Sequence, residues 1–141
     1  MKIKPSLKVR DLMSSDVISS LPEYDLGTIC DLMLGNNIHH VPVVSETRKL
    51  IGIVTYRDLL RYSLPGSEDR LPSPEKLSQI KIESLKLEQP LTCDPETDLV
   101  TAARDLCRTS NGCLPVTQDG RLVGILTETD FVHFIAYGLE R

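Results

Sequence analysis

The sequence has no tryptophan and only 4% aromatic residues, so it lacks the stacking platforms on which single-strand nucleic acid binders depend. It also lacks an excess of positive charge. Sixteen Lys and Arg stand against twenty Asp and Glu, a formal net charge of -4, which is the wrong sign for attachment to nucleic acid or anionic lipid by bulk charge. No apolar run approaches the roughly 18 residues of a membrane span. The N-terminus, MKIKPSLKVRDLM, carries charges and a proline where a secretory signal would be apolar. These absences predict a cytoplasmic protein. Cys30, Cys93, Cys107 and Cys113 form no CxxC pair, which removes the common redox and zinc spacings, and they read as reduced thiols. A P-loop, a GxGxxG, a Ser-His-Asp arrangement and paired carboxylates are all missing, so the sequence offers no catalytic apparatus and reads as a non-enzyme.

What is present is a globular composition, 40% hydrophobic and 26% charged, with a unit written twice. Pro22, Glu23, Asp25, Leu26 and Thr28 recur as Pro95, Glu96, Asp98, Leu99 and Thr101, and Pro42-Val43 recurs as Pro115-Val116. Leu50, Gly52, Ile53, Thr55 and Asp58 recur as Leu122, Gly124, Ile125, Thr127 and Asp130 after the loss of one residue in the intervening turn. Residues 1–62 form the first copy with its N-terminal segment, 63–79 a Pro-rich linker and 80–141 the second copy. Each copy predicts a short strand, a helix, two strands joined by a turn and a closing helix, a mixed α/β (α+β) architecture. Leu26, Ile29, Cys30, Met33 and Leu34 mark an apolar helical stripe, matched by Leu99, Ala102, Ala103, Leu106 and Cys107. Asp25 and Asp98 are expected N-caps. Gly52 and Gly124 interrupt apolar strands, which predicts a close approach by another backbone or by a ligand. One copy alone would bury too little, so the two are expected to pack into one pseudo-symmetric domain with two equivalent clefts.

The strongest polar signal is TYRD at 55–58 and TETD at 127–130. One reading is a capping box, in which Thr and Asp satisfy each other's backbone N–H groups. The other uses the helix N-terminus and the Thr hydroxyl for a phosphate, and the ionised Asp as acceptor for a ribose diol. The two are compatible. His133, among Phe131, Phe134 and Ile135, reads as a packing residue, and Cys93 as a buried thiol or a cleft wall.

The apolar-Gly-apolar-apolar-Thr-x-x-Asp ending, the Pro-Val strand, the Pro-Glu-x-Asp-Leu helix start and the duplication together resemble a tandem pair of CBS domains, a Bateman module. That resemblance implies two pseudo-symmetric repeats, each a small sheet with two helices. It also implies a regulatory, non-enzymatic module that binds AMP, ADP or ATP in clefts between the repeats, with S-adenosylmethionine or NAD ranked behind them, and that requires no cofactor. By the same resemblance Thr55 and Thr127 meet phosphate or ribose, Asp58 and Asp130 meet the ribose diol, and Ile18, Ser19, Leu91 and Thr92 lie along the adenine. His39 and His40 stand where similar sequences place a basic pair. With Arg57 they are replaced by Gly112, Cys113 and Thr129 in the second copy, so the clefts should differ in ligand preference. A homodimer acting on an unidentified regulated protein is expected, with Leu59, Leu60, Phe131 and Phe134 as candidate contacts, some of which must instead belong to the internal core. The alternative is a structural dimerisation or assembly module with unoccupied clefts.

Overall fold

The computed structural model describes residues 7–61 and 73–139. In chain order the elements are α1 (Val9–Leu12), α2 (Leu26–Asn36), β1 (His40–Val44), β2 (Leu50–Thr55), α3 (Tyr56–Arg61), α4 (Pro74–Leu77), a 3-10 turn (Ile82–Ser84), α5 (Leu99–Arg108), β3 (Cys113–Gln118), β4 (Arg121–Thr127) and α6 (Glu128–Tyr137). They belong to two compact units: a central one, Ile18–Gln89, and a flanking one made of the chain up to Val17 together with the chain from Pro90. This is the mixed α/β class that the sequence predicts. Among the described residues, no helix is long and apolar enough to cross a membrane.

In the central unit Asp25 caps α2 by accepting the Thr28 N–H at 2.8 Å, and Asn37 ends the helix in the left-handed region at φ 53°. Leu26, Ile29, Cys30 and Met33 are buried as their spacing predicts, but Leu34 is 64% exposed. It lies eight residues beyond Leu26, about 80° round the helix, and so clears the core. β1 and β2 pair antiparallel with His40 opposite Thr55 and Val43 opposite Gly52. The predicted short first strand contracts to one residue: Ser20 donates to the Pro42 carbonyl and accepts from the Val44 N–H, both at 2.9 Å. On the other edge Ile53 bridges Glu88.

The flanking unit repeats this plan. Asp98 caps α5 through the Val100 N–H at 3.1 Å, Cys93 takes the place of Ser20 beside Val116, and Ser14 takes the place of Glu88 beside Ile125. Leu99, Ala102 and Leu106 are buried, whereas Cys107, at the position of Leu34, is exposed.

The edge segments are exchanged relative to the sequence repeat. Leu77 and Ile82, which precede the second repeat's helix, are buried in the central core with Leu26, Val54 and Leu59. The Ile82 N–H donates to the Tyr24 carbonyl at 2.8 Å. Val9 and Leu12, which precede the first repeat's helix, are buried with Leu99, Leu114 and Leu126. Ser14 and Ile125 exchange two backbone bonds of 3.0 Å.

The close approach predicted at the two strand glycines comes from the neighbouring edge segments, a side chain nearest and a backbone carbonyl next. A Cβ at Gly52 would lie 2.7 Å from Leu87 Cβ and 3.1 Å from the Glu88 carbonyl oxygen. At Gly124 it would lie 2.6 Å from Met13 Sδ and 3.1 Å from the Ser14 carbonyl oxygen. Of the predicted linker 63–79, residues 63–72 lie outside the described residues. Its end is ordered by Ser73, which caps α4 through the Lys76 N–H at 3.4 Å.

Candidate functional site

Both Thr-x-x-Asp tetrapeptides close a strand and open a helix, and both form the capping box. In the central unit Asp58 Oδ2 accepts the Thr55 N–H at 2.8 Å and the Thr55 hydroxyl at 3.1 Å, while the Asp58 N–H donates to Thr55 Oγ1 at 3.3 Å. In the flanking unit Asp130 Oδ2 accepts the Thr127 N–H at 2.8 Å and the Thr127 hydroxyl at 3.4 Å. The threonines are half-buried. Asp58 is half-buried too, while Asp130 is only 7% exposed. Capping fixes each carboxylate by one oxygen, so the second oxygen of Asp58 points where the helix places it. That oxygen, Oδ1, sits 3.7 Å from Arg61 Nη1.

Beside Asp58 lies a cavity of about 270 Å³ lined by Ile53, Val54, Asp58, Arg61, Leu85, Lys86, Leu87 and Glu88. Apolar strand residues and two leucines supply its walls, and two cations and two carboxylates its polar groups. Asp58 was legible in the sequence as a site residue; Arg61, Lys86 and Glu88 were not. Arg61 carries a weak signal, one helical turn after Asp58. Lys86 and Glu88 are brought there by the exchanged edge segment, which no local pattern announces.

The remaining predicted residues are distributed as follows. Ile18 and Ser19 are half-buried and directly precede the bridge residue Ser20. Leu91 and Thr92 are exposed and directly precede its counterpart Cys93. His40 is the first residue of β1 and half-buried, opposite Thr55. His39 is exposed, its ring edge-on to Tyr56 at 5.7 Å, and its carbonyl accepts the Tyr56 N–H at 2.9 Å. Arg57 is exposed. In the flanking unit Cys113 stands opposite Thr127 as His40 stands opposite Thr55, and Gly112 holds φ 72°, a conformation a side chain there would strain. Cys113 is fully buried, and burial pushes its thiol up to about 12. Burial first, then Asp105 and Asp94, push the Cys93 thiol up to about 12 as well, so Cys93 is the buried thiol of the two readings.

One expected dimer contact is corrected. Leu59 is 0% exposed and belongs to the central core, because α3 packs against α2 and β2. Phe131 and Phe134 are half-buried against the flanking core, and Leu60 is 41% exposed. The exposed large apolar residues of α6 are instead Val132, Ile135 and Tyr137. His133 packs as expected, 4.9 Å from the Tyr137 ring.

Comparison with known proteins agrees with this architecture. The CBS domain profile matches residues 9–65 and again 82–137. A CBS domain-containing protein of Dictyostelium discoideum is 34% identical over 138 residues, covering 94% of this chain and 93% of its own. Homoserine O-acetyltransferase of Methanococcoides burtonii is 29% identical over 128 residues, but the match spans 90% of this chain and only 24% of the enzyme. The structure of Arabidopsis thaliana CBSX2 in complex with AMP superposes with a TM-score of 0.75 at 25% identity, covering 92% of this chain and 96% of the other. The duplicated strand-glycine-strand-capping-box unit is therefore the CBS repeat, and this chain belongs to the CBS domain family as a tandem pair.

Proposed function

We propose that the protein is a non-enzymatic regulatory module that binds an adenine nucleotide through the Thr-x-x-Asp ends of its two CBS repeats and passes the resulting change to a partner protein. The observation that carries this reading is Asp58, which is held rigid by the capping box and lines a cavity of about 270 Å³. A carboxylate fixed in this way is a preorganised acceptor for a hydroxyl pair, and the neighbouring apolar side chains can cover a planar base. The AMP bound by CBSX2 supports an adenine nucleotide such as AMP, ADP or ATP as the ligand, with S-adenosylmethionine and NAD as alternatives in the same class. Homoserine O-acetyltransferase exceeds this chain by about three-quarters of its length, so its chemistry is not carried over. The four free thiols suit a reducing, cytoplasmic setting.

A thermal-shift screen over AMP, ADP, ATP, S-adenosylmethionine and NAD(H) tests the reading. A ligand at 100 times its dissociation constant stabilises by about 2.7 kcal/mol, a rise of roughly 5–10 °C for a chain of this size. No rise with any of them refutes nucleotide sensing. The second reading, a homodimeric assembly module, is favoured by Val132, Ile135 and Tyr137 at 67%, 60% and 71% exposure on one helix. Sedimentation showing a monomer at micromolar concentration removes it.

A further inference from the structure

Of the three asparagines in the chain only Asn111 is followed by glycine, and the pair stands at the bend between α5 and β3. Asparagine is a thermolabile side chain, and here its amide is held back along its own chain. Asn111 Oδ1 accepts the Cys113 N–H at 3.3 Å, and Gly112 lies inside the ring that this bond closes. Gly112 has φ 72° and no side chain. A Cβ there would meet nothing nearer than the Glu128 carboxylate at 3.7 Å, so no packed neighbour crowds this part of the bend. The central unit carries Ile38 and His39 at the matching positions ahead of its first strand pair, and so has no counterpart.

We infer that Asn111–Gly112 is a self-modification site, at which the Gly112 nitrogen attacks the Asn111 carboxamide and converts it to aspartate and isoaspartate, loosening the flanking unit at the first pair of β3. The inference is independent of the adenine-nucleotide reading. The Gly112 nitrogen bonds to Asn111 Cγ and gives up its proton, while the Cγ–Nδ2 bond breaks and the amide nitrogen leaves as ammonia with that proton. Negative charge passes through Oδ1. The Cys113 N–H already donates to that oxygen, so a donor for the developing oxyanion is in place before the reaction, and the attacking nitrogen is a chain neighbour and not a second molecule. Water then opens the cyclic imide. Addition at Cγ leaves an ordinary aspartate, whereas addition at the Asn111 main-chain carbonyl leaves an isoaspartate, whose main chain runs through Cβ and Cγ and is longer by a methylene. That methylene enters just ahead of Cys113, which is 0% exposed and pairs with Thr127. Thr127 in turn gives its N–H and hydroxyl to Asp130, so strand register and capping box are disturbed together.

The experiment incubates the full chain, an Asn111→Gln variant and an Asn111→Asp variant in warm, mildly alkaline buffer, then follows the peptide spanning position 111 by liquid chromatography and mass spectrometry. The parent is expected to gain the mass difference between an amide and an acid at position 111 and to resolve into two isomers. Asn36, within α2, and Asn37, followed by the branched Ile38, should stay intact. The Asn111→Gln chain, whose longer side chain closes a less favourable ring, should not convert at position 111. Incubation in denaturing urea supplies the reference rate, and the folded parent should convert at least as fast, because the fold holds the donor on Oδ1. Slower conversion in the folded chain than in the unfolded one, no conversion, or equal conversion at Asn37 overturns the site. Melting followed by circular dichroism tests the consequence. The aged parent should melt below the fresh parent in proportion to its isoaspartate fraction, with Asn111→Gln unchanged by incubation and fresh Asn111→Asp, which has the charge without the added methylene, close to the fresh parent. An aged parent rich in isoaspartate that melts with the fresh one overturns the loosening of the flanking unit.

Discussion

Alanine at Gly52 is the sharpest test of the exchanged edge. Its methyl would lie 2.7 Å from Leu87 Cβ and 3.1 Å from the Glu88 carbonyl oxygen, whereas carbon atoms rest about 3.5–4.0 Å apart. Leu87 Cβ is bonded directly to the backbone, so no rotamer change can relieve the overlap. The segment must lift from β2, straining the bridge between Ile53 and Glu88 and loosening the half-buried Leu87. Overpacking of this kind costs about 1–3 kcal/mol, and a weakened backbone bridge about 1 more, so a loss of roughly 2–4 kcal/mol is expected. For a chain of this size that is a fall of about 4–16 °C in Tm. Gly124 provides the internal control. The nearest atom there is the flexible end of Met13, at 2.6 Å, and a thioether can swing aside, leaving a cost nearer 1 kcal/mol. Urea unfolding of both variants beside the parent measures the difference. A Gly52→Ala protein as stable as the parent, or more stable than Gly124→Ala, would refute the argument that a backbone-anchored contact sets the cost.

The caps and thiols yield further expectations. Asp130→Ala should lower stability by about 1–3 kcal/mol and more than Asp58→Ala, because Asp130 is 7% exposed and its loss leaves a less accessible N–H without its acceptor; the reverse order in calorimetric melting would count against it. Asp58→Ala should weaken AMP binding roughly tenfold or more while costing only about 1 kcal/mol of stability as a lost cap; unchanged AMP affinity would reduce Asp58 to a cap. Burial holds the Cys93 and Cys113 thiols neutral up to about 12, so their contribution is complete below the unfolded thiol value of about 8.5 and is lost as pH rises towards 12. Stability should therefore fall more steeply above pH 9 in the parent than in Cys93→Ala/Cys113→Ala, and parallel curves would contradict this. A fragment of residues 18–89 should fold, whereas one of residues 1–62 should not, since it lacks Leu77 and Ile82, both at 1% exposure or less and worth about 1.5–3 kcal/mol each; far-ultraviolet circular dichroism decides.

Much of each repeat was legible because local chemistry and tertiary structure agree there. Asp25 and Asp98 cap the helices their positions suggest, and the stripe from Leu26 to Met33 is buried as its spacing requires. Thr55 and Asp58 form the box that their separation allows. What could not be read depends on segments far apart in sequence. Ser20 and Cys93 each hold one bridge instead of a strand. Leu59 looked available for a dimer because a six-residue helix gives too few turns to show which of two adjacent leucines faces the core. Gly52 did signal a close approach, but its partner, Leu87, lies in a stretch with no pattern connecting it to β2. The polar groups of the cavity followed the same division: Asp58 sits in a motif, while Lys86 and Glu88 arrive with the exchanged edge.

That exchange bears on how a ligand could act. Asp58 and Arg61 belong to the first copy of the repeat, and Leu85, Lys86, Leu87 and Glu88 stand just ahead of the second copy's Pro-Glu-x-Asp helix start, yet all line one cavity inside one compact unit. A ligand there would contact chain on both sides of the segment that connects the copies. Its binding energy would then depend on the edge segment staying against β2, where Gly52 leaves just enough room for Leu87. The segment is held by one bridge, by the Gln89 side chain donating to the Ile51 carbonyl at 2.7 Å and by the partial burial of its leucines. A ligand that prefers the attached arrangement can shift this edge only by as much as its affinity differs between the attached and lifted states. The close contact that makes the edge costly to crowd at Gly52 is thus also the contact a ligand in this cavity would lean on.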